Sequence, residues 1–156
     1  APLQLPRRSG RVLAEGQAAR DAVYHLPKAD RDALVRYPLN LALLYGYGNA
    51  LIAGKRFNEA LKFAAAQLQS YPQDVRFYKM RADANAGLGR RSQQHLALAE
   101  MTLLKGQTAG AIEQLQLAQQ AGDANFYEMS VIDGRLRELK KRQNEEMKEK
   151  EKERRF

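Results

Sequence analysis

The sequence predicts an all-α fold: antiparallel helix pairs stacked as an α-solenoid and closed by a long C-terminal capping helix. Three observations carry this. No segment alternates apolar and polar residues between turn signals, so strands have no support. Apolar residues recur instead at helical spacing, in runs separated by short joints that hold Gly or Pro. Residues of matching size also return at a fixed period. Hydrophobic residues make up 44% of the 156, enough for one core with a tail and too many for a wholly disordered chain.

The elements follow in order. Residues 1–10 hold two prolines and no periodicity, which reads as a linker or an arm. Residues 11–38 form an N-terminal helical extension. Ala14, Ala18, Ala22 and Leu26 share one face from Arg11 until Pro27 ends it, and a short helix over Asp30–Arg36 precedes Tyr37-Pro38. The main domain spans 39–139. Its expected helices are Leu39–Ala53 (stopped by Gly54), Phe57–Ser70 (stopped by Tyr71-Pro72) and Val75–Leu88 (stopped by Gly89). Ser92–Leu104 and Thr108–Ala121 follow, and a last helix starts near Asn125. There Phe126, Met129, Ile132, Leu136 and Leu139 make an apolar stripe, expected to cover the last hairpin because an open solenoid end needs a cap. Residues 140–156 are a charged helical tail, a solvated single helix or a frayed end. Glu145 with Lys148, and Glu149 and Glu153 beside Lys150 and Lys152, suit that setting.

The period is 34 residues. With Leu41 as position one, Gly48 takes position 8, Phe57 position 17, Ala60 position 20, Ala64 position 24 and Pro72 position 32. Small residues belong where two helices approach closely, a large one fills the space between helices, and proline ends the second helix. A second unit starts at Val75, with Ala82 at position 8 and Gly89 at position 15; Gln94 at position 20 departs from the small-residue rule. A third starts half a period later at Ser92, with Ala99, Gly106, Ala111, Leu115 and Ala118 in register. This is the tetratricopeptide pattern. Gly48, Ala60, Ala82, Ala99 and Ala111 are therefore expected to be buried at helix crossings.

From Tyr37 to Gln143 the sequence resembles the repeat domain of BepA-like bacterial zinc metallopeptidases. The marks are the "HLALAE" helix after a shortened repeat (His95, Ala97, Ala99, Glu100) and the closing "DGRLREL" helix (Asp133, Arg135, Leu136, Leu139). Gly89, Gly106, Ala111, Ile112, Leu115 and Ala118 match as well. The resemblance implies an exported protein of the Gram-negative periplasm. It implies repeats that dock a peptidase on protein substrates, on outer-membrane assembly machinery or on misfolded outer-membrane proteins. Zinc is implied only for the family's catalytic domain, whose His-Glu-x-x-His this chain lacks; it holds only His25 and His95. The expectation is a non-catalytic binding domain without a cofactor of its own. The chain begins Ala-Pro, as expected of a processed or excised piece. A free-standing adaptor or chaperone, and an oligomeric scaffold, are the rival classes.

Other chemistry finds little footing. Without cysteine there is no disulfide scaffold or thiolate metal site. No run approaches the roughly 20 apolar residues that span a bilayer. The net charge of +8 is concentrated at the ends: the stretch before Tyr37 and the stretch Lys140–Arg155 each carry +3. Nucleic-acid binding would favour a basic patch with a recognition element, and none appears. No Gly-x-Ser-x-Gly or phosphate-cradling glycine loop is present. His95 lies in a packing slot with only Glu100 near in sequence, and so reads as packed or hydrogen-bonded. His25 has Asp21 four residues before it, a local ion contact. Partner binding is expected on the face lined by the first helix of each pair. Its candidate residues are Tyr45 and Asn49 in the first unit and Arg76, Lys79 and Asp83 in the second, with Ala86 beside them. Tyr45 and Asn49 lie one turn apart and can face one ligand. Tyr47 and Tyr71 read as packing residues.

Overall fold

The computed structural model describes residues 41–156. The linker and helices expected over 1–38, with His25, lie outside them. The described residues are all helix and joint: α1 (Leu41–Ala53), α2 (Phe57–Ser70), α3 (Val75–Gly87), α4 (Arg91–Leu104), α5 (Thr108–Gln120) and α6 (Phe126–Arg154). The expected helix ends match to within a residue where they can be compared. The chain divides into two compact units, one ending at Gly87 and one running from Leu88 to Phe156.

In the first unit, α2 packs against both α1 and α3. Gly87 at the end of α3 faces Phe57 at the start of α2, and Phe63 meets Phe77 edge-on, so α2 and α3 are antiparallel. Tyr45 meets Phe77 and Gly48 meets Met80, which sets α1 and α3 side by side in the same direction. Small residues make these approaches possible. A Cβ on Gly48 would overlap the Met80 thioether and come within 3.2 Å of Phe63. The position is thus small because of Met80 on α3 as well as the facing helix of its own hairpin. A Cβ on Gly87 would fall on the Phe57 ring. Ala60, Ala64 and Ala84 are fully buried among Leu44, Tyr47, Leu51, Phe77 and Met80.

The second unit is built on Ala99, Ala111, Ile112, Leu115, Ala118, Ile132, Leu136 and Leu139. His95 Nδ1 lies 2.9 Å from Gln114 Oε1 across the α4–α5 hairpin, the hydrogen-bonded histidine expected from the sequence. Along α6, Gln119 donates to Asp133 at 2.6 Å and Thr108 to Glu146 at 3.3 Å, so α6 runs antiparallel to α5 over that helix's whole length. All five small residues expected at crossings, Gly48, Ala60, Ala82, Ala99 and Ala111, are buried.

Two of the joints share one solution. After α1, the Lys55 N–H reaches Ile52 O at 3.0 Å and the Arg56 N–H reaches Leu51 O at 2.8 Å. After α4, the Gly106 N–H reaches Leu103 O at 2.9 Å and the Gln107 N–H reaches Thr102 O at 3.1 Å. Both are Schellman closures, which need a left-handed residue just past the helix. Gly106 supplies it at φ 78°, but Lys55 does so at φ 58° with a side chain attached. For an L-residue this conformation costs about 1–2 kcal/mol, partly offset by the extra freedom glycine has when unfolded. Lys55→Gly should therefore raise stability by about 0.5–1 kcal/mol, read as a higher urea midpoint with the slope unchanged. A lower midpoint would mean that the lysine side chain contributes more than its backbone costs.

Two expectations for α6 need correction. Phe126, placed in the core-facing stripe, is 90% exposed, and Tyr127 beside it is 76% exposed. Gln119, one residue before the end of α5, is level with Asp133. The first two turns of α6 therefore extend past α5 and have no α5 turn to cover them. Ile132, Leu136 and Leu139 do cover the hairpin, and Met129 is half-buried. The tail is a continuous helix to Arg154 rather than a frayed end. Its ion pairs join Arg142 to Glu146 and Arg155 to Glu151, not the Glu145–Lys148 combination expected.

Candidate functional site

The five candidate residues all fall in the first unit, on the adjacent helices α1 and α3. Tyr45 and Arg76 meet across the two helices. The Arg76 guanidinium carbon stands 4.5 Å above the centroid of the Tyr45 ring, within cation–π range. Lys79 follows Arg76 one turn along α3, and Asp83 follows Lys79. Asn49 follows Tyr45 one turn along α1 and is exposed.

Tyr45 departs from the expected open, solvent-facing position. It is half-buried, its ring 5.1 Å from that of Phe77, and its hydroxyl donates to Asp74 Oδ2. Burial, then the Asp74 hydrogen bond, push the hydroxyl above its ordinary pKa and keep it a donor. The other Asp74 oxygen, Oδ1, accepts the Arg76 backbone N–H at 2.9 Å, capping the start of α3. Asp74 therefore ties the end of the Tyr45 side chain to the backbone of the residue stacked on its ring. Sequence reasoning missed Asp74. The available signal was an Asp immediately before a helix start, which marks a cap; its reach to a tyrosine on another helix has no sequence signature.

Lys79 is not an isolated cation. Its ammonium pairs with Asp83 at 2.7 Å along α3, with 64% and 43% of the two side chains exposed. Such a pair contributes roughly 0.3–0.5 kcal/mol, so an incoming ligand can compete for either partner at little cost. Arg76, by contrast, makes no ion pair among the described residues. The site thus presents one oriented cation, one exchangeable ion pair and one exposed amide, over a wall of aromatic rings. Tyr71 stacks on Phe77 from another side, 6.1 Å between centroids, and Tyr47 is buried against Phe63. Both are packing residues, as expected.

Polar contacts elsewhere hold the second unit together. Arg135 on α6 grips Glu100 on α4 through two bonds of 2.6 and 2.8 Å and also pairs with Glu138. The Glu100 hydrogen bonds raise the guanidinium's pKa against the burial that lowers it, so the arginine stays charged. Asp123, in the α5–α6 joint, accepts the backbone N–H of buried Ser92 at 3.0 Å and caps α4 from a distance. The Ser92 hydrogen bonds hold its carboxyl below the usual carboxylate range. This cap is complete at neutral pH and is lost as pH falls through that lowered value.

Among the described residues, no three His, Asp or Glu side chains gather in a way that would hold a metal ion. No helix among them is long and apolar enough to cross a membrane. Compared with protein-family models, curated proteins and solved structures, the chain finds no match.

Proposed function

We propose that this chain is a protein-interaction domain of the tetratricopeptide type, working by recognition rather than by bond-making. In this reading it belongs to an exported, BepA-like peptidase of the periplasm. It would present protein substrates to the catalytic domain of that parent, or dock it on outer-membrane assembly machinery. Zinc would belong to the parent's catalytic domain alone.

The observation that carries the binding reading is the α1–α3 face. Two parallel helices set Arg76 on Tyr45, leave Asn49 exposed one turn away and place the open Lys79–Asp83 pair beside them. Rigid aromatic area with adaptable polar groups around it is the composition that binding surfaces favour. The 34-residue period, and the Schellman joints after α1 and α4, support the repeat assignment.

The test is site-specific photo-crosslinking in periplasmic extract. A photoreactive residue at Asn49 should give a discrete cross-linked protein species, and one at Lys62, on the exposed side of α2, should not. Equal labelling at both positions, or none at Asn49, would overturn the reading.

A further inference from the structure

We infer that the α1–α3 face selects partners carrying an acidic side chain, and that Arg76 reads the carboxylate. This rests on the interaction-domain reading above and specifies the chemistry of its partner. Arg76 differs from the other cations near the face. Arg56 is committed to Glu59 at 2.7 Å and Lys79 to Asp83 at 2.7 Å. The Arg76 guanidinium is exposed and has no carboxylate partner among the described residues, yet it is not free to wander. Its guanidinium carbon stands 4.5 Å over the Tyr45 ring, and its backbone N–H is fixed by Asp74, which also holds the Tyr45 hydroxyl.

A cation–π contact uses none of the guanidinium's N–H donors, and no hydrogen bond or ion pair among the described residues takes them up. Those donors match a carboxylate through two parallel bonds. Holding the guanidinium in place beforehand lowers the entropy cost of engaging a ligand. Asn49 offers both a donor and an acceptor, the pair needed to read a peptide backbone that continues past the acidic residue. The described residues of this unit include Lys55, Arg56, Lys62, Arg76, Lys79 and Arg81 against Glu59, Asp74 and Asp83. Their net positive charge also favours an acidic segment. The source is therefore an aspartate or glutamate side chain within an extended segment, and Tyr45 and Asp74 are positioning residues for Arg76.

The test is fluorescence anisotropy with the full chain and three labelled peptides, end-blocked unless stated. One carries glutamates, a second has glutamine in their place, and a third has neutral side chains but a free C-terminal carboxylate. The glutamate peptide should bind at least about tenfold more tightly than its glutamine counterpart, the range of a charge-assisted hydrogen bond. Arg76→Ala should remove most of that preference. Arg76→Lys should restore little of it, because an ammonium keeps the charge without the planar fork. Tyr45→Leu should weaken the preference while Arg76 is still present, an effect that a role in packing alone would not produce; Tm measurements confirm that each variant is folded. Equal binding of the glutamate and glutamine peptides, or binding unaffected by Arg76→Ala, would overturn the inference. So would a preference for the free C-terminus alone. Cross-linking at Asn49 that persists in Arg76→Ala would leave the interaction reading standing without this specificity.

Discussion

Phe77→Ala should destabilise the protein by about 3–5 kcal/mol, the range for removing a fully buried aromatic side chain. Phe77 is wholly inaccessible and touches three rings: Tyr45 at 5.1 Å, Tyr71 at 6.1 Å and Phe63 at 6.3 Å. These come from α1, from the α2–α3 joint and from α2, so its deletion leaves a cavity where the described elements of the first unit converge. The effect should also reach the candidate site. Tyr45 contacts both Phe77 and Arg76, and loss of the Phe77 ring should loosen the tyrosine over which the guanidinium stands. Urea unfolding reads the stability change, and the peptide preference described above reads the loosening. A cost below about 1 kcal/mol would mean that Phe77 is not the centre of this core.

Ala99→Leu should cost about 1–3 kcal/mol, by overpacking. Ala99 is 1% exposed and belongs to the same cluster as Ala111, at 0%, where α4 and α5 cross. Three additional carbons have no vacant space there. The helices must separate, or neighbours such as Leu115 and Ile132 must leave their preferred rotamers. Helix propensity does not confuse the measurement, because leucine and alanine are both good helix formers. Ala109→Leu, on the exposed side of α5, is the control and should leave the midpoint nearly unchanged. An unchanged midpoint for Ala99→Leu would remove the basis for the repeat register, which requires a small residue at that position.

The sequence by itself determined where the helices begin and end. Those events depend on residues close in the chain. Gly106 closes α4 through a left-handed turn, and Asn125 caps α6 in a reciprocal box with Glu128. The period also located the buried small residues, because a helix crossing constrains side-chain size wherever it recurs. Only the tertiary structure decided what the exposed-looking positions do. Tyr45 had the spacing of a solvent-facing residue, but Asp74, distant in the chain, takes its hydroxyl and Phe77 covers its ring. Phe126 had the spacing of a core residue but is exposed, because α5 ends before reaching its level along α6. Lys79 and Arg76 look alike as exposed cations in the sequence. Asp83 takes up the first and Tyr45 orients the second, so only one is left ready for a ligand. Periodicity specifies which face of a helix a residue occupies. What lies opposite that face is set by the lengths and register of other helices, and no local pattern encodes it.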